Sequence, residues 1–283
     1  MNRLKLKQKL EEFFMEDIGD HDLSSDFLFS QDQYGRMTFS SKAGGVFCGA
    51  SIIEEGFHLL DPAVRTHLHF RDGDDLAKGD CISTMEGPMV SLLKGERVIL
   101  NLIQRMSGIA TLTKQASHLL DSEKTRICDT RKTTPGLRFF EKYAVRTGGG
   151  FNHRNGLYDA VMLKDNHIAL FGSITQAVDH VKKNIGHMVK IEVETETEAQ
   201  VIEAVEAGVD CIMFDNRTPA EIKCFMKHVP PFITTEASGG ITLEKVPEFR
   251  GLDLDYLSLG FLTHSAKALD ISARAVSMKE EVQ

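Results

Sequence analysis

No apolar run in this chain reaches the roughly 18 residues that a membrane-spanning helix requires, so none of it is expected to cross a bilayer. The N-terminal stretch 1–14 alternates Lys and Leu amphipathically and lacks the apolar core of a signal peptide. The five cysteines, Cys48, Cys81, Cys128, Cys211 and Cys224, are odd in number, far apart and never in a C-x-x-C pair. That spacing argues against a disulfide framework or a structural zinc site and points to a reducing cytoplasm. Positive charge is also short. With 33 Lys and Arg against 41 Asp and Glu the net charge is -8, a field that repels nucleic acid and anionic membranes, so any anion must be bound locally.

What is present is an ordinary globular mixture, 42% hydrophobic and 26% charged, in a chain of 283 residues, long enough for two cores. A first helix is expected near residues 4–15. Residues 36–93 carry short apolar segments cut by Gly44-Gly45, Asp72-Gly73-Asp74 and Glu86-Gly87-Pro88, which predicts a small, mostly antiparallel sheet. Residues 94–120 place Val98, Leu102, Ile103 and Met106 at helical spacing, with Gly108 as an interruption, and the domain joint is expected there.

From residue 126 onward a unit repeats: a short apolar strand, a polar tip, a helical stretch. The strands are expected at 126–129, 160–164, 189–194, 211–215, 232–236 and 256–260. Helices are expected at 173–184, 197–207 and 218–227, the last opening on Thr218 as cap with Pro219 in the first turn. Such alternation implies parallel strands joined by right-handed crossovers. Periodicity allows an open doubly wound sheet or a barrel. No G-x-G-x-x-G follows the first strand, and all six strand ends carry polar or glycine-rich chemistry, which favours the barrel.

The tips read Asp129, Arg131, Lys132; Lys164, Asp165; Glu192, Glu194; Asp215; Glu236; and Gly260 with His264. Arg138, Lys142, Arg146, His153 and Arg154 lie on the long segment after the first strand. Strands end in water, so a charge at any one tip is unremarkable as a solvated terminus. As a set they are harder to dismiss, because Lys164 and Glu194 directly follow Val, Met, Ile and Leu where loops commonly carry Gly, Ser, Asn or Asp. Arg131, Lys132, His153, Arg154 and Lys164 suit two carboxylates and a phosphate. Glu194 and Asp215 would repel such a ligand unless a hard cation sat between, and they suit ribose hydroxyls equally well. Ser238-Gly239-Gly240 offers successive backbone N–H groups to a phosphate, and 241–243 is expected to open a helix whose dipole assists.

These residues fall in blocks that resemble the quinolinate phosphoribosyltransferase family: Glu96-Arg97, Leu100-Asn101, 107–111, the 129–136 stretch Asp-Thr-Arg-Lys-Thr-Thr-Pro-Gly, and Gly149-Gly150 with His153-Arg154. Further on come Lys164-Asp165-Asn166-His167, Glu192-Val193-Glu194, Asp215-Asn216, Ser238-Gly239-Gly240 and Leu262-Thr263-His264-Ser265. The resemblance implies an N-terminal α/β sandwich domain, 1–107 joined by 266–283, and an incomplete six-stranded α/β barrel, 108–265. It implies a homodimer that condenses quinolinate with phosphoribosyl pyrophosphate in NAD biosynthesis. By the same resemblance, Arg131, His153, Arg154 and Lys164 would hold quinolinate, Thr130 would bind substrate, Arg97 would reach in from the partner subunit, and Lys132 would lie between the substrates. Glu194 and Asp215 would face the ribose and a magnesium ion, Ser238, Gly239, Gly240 and Gly260 the 5′-phosphate, and His264 the pyrophosphate side or its loop.

Rival readings are a phosphoribosyltransferase of the same fold with another acceptor, a barrel aldolase using Lys164 or Lys132 as a Schiff base, and a non-catalytic metabolite binder. The proximity of Arg131 to Lys132 in sequence favours anion binding over an activated amine. His67 and His69 alternate on one strand face with no third metal ligand in view, so a surface strand is expected. The acidic run 192–198 is read as partly a helix N-terminal turn, where carboxylates are favourable anyway. Met37, Met85, Met89, Met106, Met162 and Met213 are read as core filling.

Overall fold

The protein is described from a computed structural model covering residues 1–30 and 32–278. Two compact units emerge, Met1–Leu112 with Ala266 onward, and Thr113–Ser265. Of the C-terminal segment assigned to the first domain, 279–283 lie outside the described residues.

In the first unit, helix α1 (Arg3–Ile18) starts where the Asn2 side chain accepts from Lys5 N at 3.1 Å, and it buries Leu6, Leu10 and Phe14 at four-residue spacing. A single turn α2 (Ser25–Leu28) leads to β1 (Tyr34–Ser41), whose strict alternation buries Met37 and Phe39. After β2 (Gly45–Val46) comes a helix that the sequence reading overlooked, α3 (Ala50–Leu60). It buries Ile52, Ile53, Gly56 and Phe57, a helical stripe interrupted in hydropathy by glycine. Gly56 is there for contact: a β-carbon would meet Ile99 at 3.0 Å. The buried Glu55 carboxylate is paired with Arg3 at 2.7 Å and Lys7 at 3.5 Å.

β3 (Arg65–Leu68), β4 (Asp75–Leu76) and β5 (Cys81–Pro88) complete the segment, and α4 (Met89–Leu120) follows at once. The main sheet has the order Ile271–Ser277, β1, β5, β3, antiparallel throughout, so the C-terminal strand seals one edge. The helix begins five residues before the expected start and runs unbroken through Gly108. A β-carbon at 108 would run into the Lys267 carbonyl, so glycine serves a close backbone approach and not a break. His67 and His69 lie on or beside the exposed β3, their rings 4.6 Å apart, with His69 Nε2 3.1 Å from Thr84 Oγ1.

The second unit alternates strand and helix. Its strands are β6 (Arg126–Cys128), β7 (Val161–Leu163), β8 (Ile191–Thr195), β9 (Cys211–Asp215), β10 (Thr234–Ser238) and β11 (Tyr256–Ser258). The helices are α5 (Arg138–Thr147), α6 (Asp165–Phe171), α7 (Ile174–Asn184), α8 (Glu198–Glu206), α9 (Pro219–Phe225) and α10 (Phe261–His264). Thr197 and Thr218 open α8 and α9 with reciprocal capping boxes to Gln200 and Glu221. The sheet order β6-β11-β10-β9-β8-β7 is wholly parallel and cyclic, without the reversal of an open doubly wound sheet. β6 and β7 form the two edges, and Cys128 instead makes a parallel bridge to Phe151, so the α/β barrel is incomplete between its first two strands. Val193, Ile212, Phe214, Leu257 and their neighbours are buried, each contributing about 1.5–3 kcal/mol.

Two expectations need correction. The fifth strand is Thr234–Ser238, two residues later than read, which moves Glu236 from the tip to the middle of the strand. The segment after Gly240 forms a 3₁₀ helix, Leu243–Phe249, with Pro247 inside it, in place of an α-helix, so the expected dipole is small. The acidic run 192–198 is, as expected, partly a helix N-terminal turn: Glu198 opens α8, while Glu192 sits inside β8. Among the described residues, no helix is long and apolar enough to cross a membrane.

Candidate active site

A cavity of about 770 Å³ opens at the carboxyl ends of the barrel strands. Thr130, Arg131, Lys132, His153, Arg154, Lys164, Glu194, Asp215, Ser238, Gly239 and Gly240 all line it. A neighbouring cavity of about 450 Å³ shares Lys132 and the Ser238–Gly240 loop with it and adds Gly260 and His264. Fourteen residues were singled out from sequence, and thirteen thus fall on two cavities with a common wall. The fourteenth, Arg97, lies on α4 in the first unit, its side chain 59% exposed and 3.5 Å from Glu96.

The basic side chains gather on one wall of the larger cavity. Arg131 follows β6, and its Nε and Nη1 are buried without any hydrogen-bond partner. Arg154 donates Nη1 to the Ala160 carbonyl at 3.1 Å, and burial, then the nearby Arg131 guanidinium, holds its pKa below the usual arginine range. Two guanidiniums in mutual repulsion, one with idle buried donors, form a site that a carboxylate would relieve. Lys132 is fixed by its backbone: its N–H donates to Thr130 Oγ1 at 3.0 Å and its carbonyl accepts from Thr263 Oγ1 at 2.7 Å. A β-carbon on Gly260 would lie 3.0 Å from Lys132 Cδ, so glycine there leaves room for the lysine stem.

Beneath them lies a buried scaffold that sequence reading noted at strand tips but gave no task. Asp129 is fully buried, with Oδ1 2.5 Å from Lys142 Nζ and 2.9 Å from His153 N, and Oδ2 2.5 Å from Asn152 Nδ2. Burial pushes its carboxyl above the ordinary range, and Lys142 opposes that shift. Lys142 also donates to the His153 carbonyl at 2.8 Å, so this pair clamps the His153 backbone. The ring is fixed too: Nδ1 accepts from Arg154 N at 2.8 Å, and Nε2 lies 2.9 Å from Glu192 Oε2 and 3.6 Å from Glu236 Oε1. An Nδ1 that accepts a backbone N–H leaves the ring proton on Nε2, pointing at the two carboxylates. Burial works to lower the His153 pKa, but Glu192 and Glu236 outweigh it and raise it. Glu236 is buried beside Glu192, and the two together push its pKa up to about 8. Glu236 lines the main cavity.

The acidic wall comes from the next strands. Glu194 on β8 is ion-paired with Lys164. Burial raises its pKa, Lys164 opposes, and Asp215 adds to the rise. Asp215 ends β9, and its Oδ2 accepts from Asn216 Nδ2 at 2.7 Å. Asn216 adopts a left-handed φ of 54° and donates its N–H to the Ser238 carbonyl at 2.9 Å. A β-carbon on Gly239, at φ 89°, would collide with Asn216, so the loop admits only glycine at that point. His264 Nδ1 is 2.5 Å from Ser265 Oγ at the mouth of the second cavity.

Fold and site together define a class: an α/β barrel with two joined cavities at its strand ends, whose cationic, acidic and glycine-rich walls follow in strand order. Comparison with known proteins makes this specific. The family described as quinolinate phosphoribosyl transferase matches here twice, its N-terminal domain over residues 22–107 and its C-terminal domain over 109–274. The chain belongs to this family. It is 56% identical over 283 residues to a probable nicotinate-nucleotide pyrophosphorylase (carboxylating) of Bacillus subtilis, covering 100% of this chain and 98% of that one. It is 37% identical over 288 residues to quinolinate phosphoribosyltransferase (decarboxylating) 1b of Nicotiana tabacum, covering 95% and 82%. The crystal structure of NadC from Streptococcus pyogenes superposes with a TM-score of 0.94 at 39% identity, covering 98% of this chain and 99% of that one.

Proposed function

We propose that this chain transfers a phosphoribosyl group from phosphoribosyl pyrophosphate to quinolinate and releases pyrophosphate and carbon dioxide, forming nicotinate mononucleotide for NAD biosynthesis. The observation that carries this reading is Arg131, whose buried Nε and Nη1 find no acceptor within the chain while Arg154 repels it from beside. A planar dicarboxylate supplies acceptors for both guanidiniums, and Lys164 stands at the same cavity. Lys132 lines both cavities and so stands between the pyridine acid and the phosphoribosyl group, with Ser238, Gly239, Gly240 and Gly260 cradling the 5′-phosphate. His264 at the second mouth faces the pyrophosphate side.

The pyridine nitrogen displaces pyrophosphate at the anomeric carbon through a transition state of oxocarbenium character. Catalysis is then a matter of holding the two reactants in line and balancing charge. Glu194 and Asp215 would hold the ribose hydroxyls and a magnesium ion. The Asp215 carboxylate adds to the burial that raises the Glu194 pKa, and a hard cation suits that donor set. Bound there, magnesium would neutralise the pyrophosphate leaving group. Once the nitrogen is quaternary, the adjacent carboxylate leaves as carbon dioxide. The same reading makes the protein a homodimer in which Arg97 of each subunit serves the other's cavity, and the free thiols of all five cysteines suit a cytoplasmic setting.

The test is product identity. Purified protein given quinolinate, phosphoribosyl pyrophosphate and magnesium should yield nicotinate mononucleotide by mass. A folded protein that yields none, or that uses nicotinate equally well, overturns the reading.

A further inference from the structure

Decarboxylation leaves an unmet need. Loss of carbon dioxide breaks the bond between C2 and its carboxyl carbon and leaves the electron pair on C2, so a proton must arrive there. Resting on the function proposed above, we infer that Glu236 delivers that proton, with the His153 ring beside the carboxylate it leaves behind. Its O–H bond breaks as the C2–H bond forms, the carboxyl becomes a carboxylate, and water entering the cavity reprotonates it after product leaves.

Four observations place Glu236 in this role. Its side chain lines the cavity that also holds Arg131, His153, Arg154 and Lys164, yet it is almost wholly buried. Its Oε1 makes no hydrogen bond, the only carboxylate oxygen of which this is true among the buried groups described. Glu192, an acceptor already engaged by His153 Nε2 at 2.9 Å, stands against a second negative charge beside it. A cavity rich in cations is a poor place for a proton-bearing acid unless something of this kind keeps the proton on. His153 Nε2 lies 3.6 Å from Glu236 Oε1, so the ring stands beside the carboxylate that forms. The remaining ionisable groups facing Glu236 are Asp129 after β6 and the buried thiols of Cys128 on β6 and Cys211 on β9, while Lys142 acts on His153. Asp129 and Glu192 favour the protonated acid, and His153 favours its discharge.

Arg131 provides no such proton, since a guanidinium is not deprotonated in proteins. A neutral acid also explains why a cavity meant for a dicarboxylate holds a glutamate at its floor: protonated, it does not repel the ligand.

The experiment supplies preformed quinolinate mononucleotide, which bypasses the transfer step, and measures carbon dioxide release by the wild type and by Glu236→Gln, after subtracting the uncatalysed rate. The wild type should decarboxylate it at a rate that falls as pH rises through about 8. Glu236→Gln should be at least tenfold slower and lose that fall. Equal rates in the two proteins overturn the inference, and so does a wild-type rate that is flat through that pH region, a result that stands even if the variant fails to fold. Failure of the wild type to make nicotinate mononucleotide from quinolinate and phosphoribosyl pyrophosphate would instead sink the function on which the inference rests.

Discussion

Replacing Arg131 by Met separates ligand binding from folding more sharply than any other single change. In the free protein Nε and Nη1 of Arg131 are buried without acceptors, and Arg154 stands beside it. A hydrogen bond to a charged group contributes about 1.5–3 kcal/mol net, so losing the two that these donors would make with a carboxylate costs about 3–6 kcal/mol of ligand binding. That range corresponds to roughly a hundredfold to ten-thousandfold in affinity. Stability should move the other way or stay level, because an apolar side chain of similar length removes donors that cost about 1–3 kcal/mol when buried unsatisfied. Calorimetric titration with quinolinate and a thermal melt on the same samples read both quantities. A melting temperature that falls while quinolinate affinity holds would refute the assignment and make Arg131 a structural residue.

Other outcomes follow from the same geometry. Mixing inactive Arg97→Ala protein with inactive Lys132→Ala protein should restore part of the activity through hybrid dimers, and no recovery after proven subunit exchange counts against a shared site. Gly108→Ala should cost about 1–3 kcal/mol in denaturant unfolding, because its methyl group meets the Lys267 carbonyl; an unchanged midpoint would show that the backbone there yields freely. Glu236 binds its proton more tightly folded, to about 8, than a free carboxyl near 4.5, so its contribution to stability is full below about 4.5 and is lost as pH rises towards 8. Glu236→Gln should therefore gain stability relative to wild type as pH goes from 5 to 8, and a constant difference would contradict the raised pKa.

Much of this was readable in the chain before any coordinates. Strand β9 falls on Cys211–Asp215 as expected, since Ile212 and Phe214 are large, buried and bounded by polar ends. β10 slid by two because Phe232 looks like a strand residue but is 82% exposed, whereas the buried positions Thr235 and Ala237 carry little hydropathy. That slip concealed Glu236 in the barrel interior. Helix α5 escaped notice because charged Glu141 and Lys142 are buried on the same face as Phe140, Ala144 and Val145. α6 buries nothing at all. The residue types of the site, and their order along the strands, were visible as motif blocks. What no linear pattern could give was which donors lack acceptors, or that Asp129 and Lys142 clamp His153 from below.

The central claim is that the paired arginines hold a pyridine dicarboxylate while its 2-carboxylate is lost in step with phosphoribosyl transfer. Quinolinate carrying a labelled carbon in the 2-carboxyl group tests it directly. With phosphoribosyl pyrophosphate, labelled carbon dioxide and pyrophosphate should appear one for one, and the same label in the 3-carboxyl group should stay with the nucleotide. Pyrophosphate without labelled carbon dioxide, or label released from the 3-position, would contradict the account.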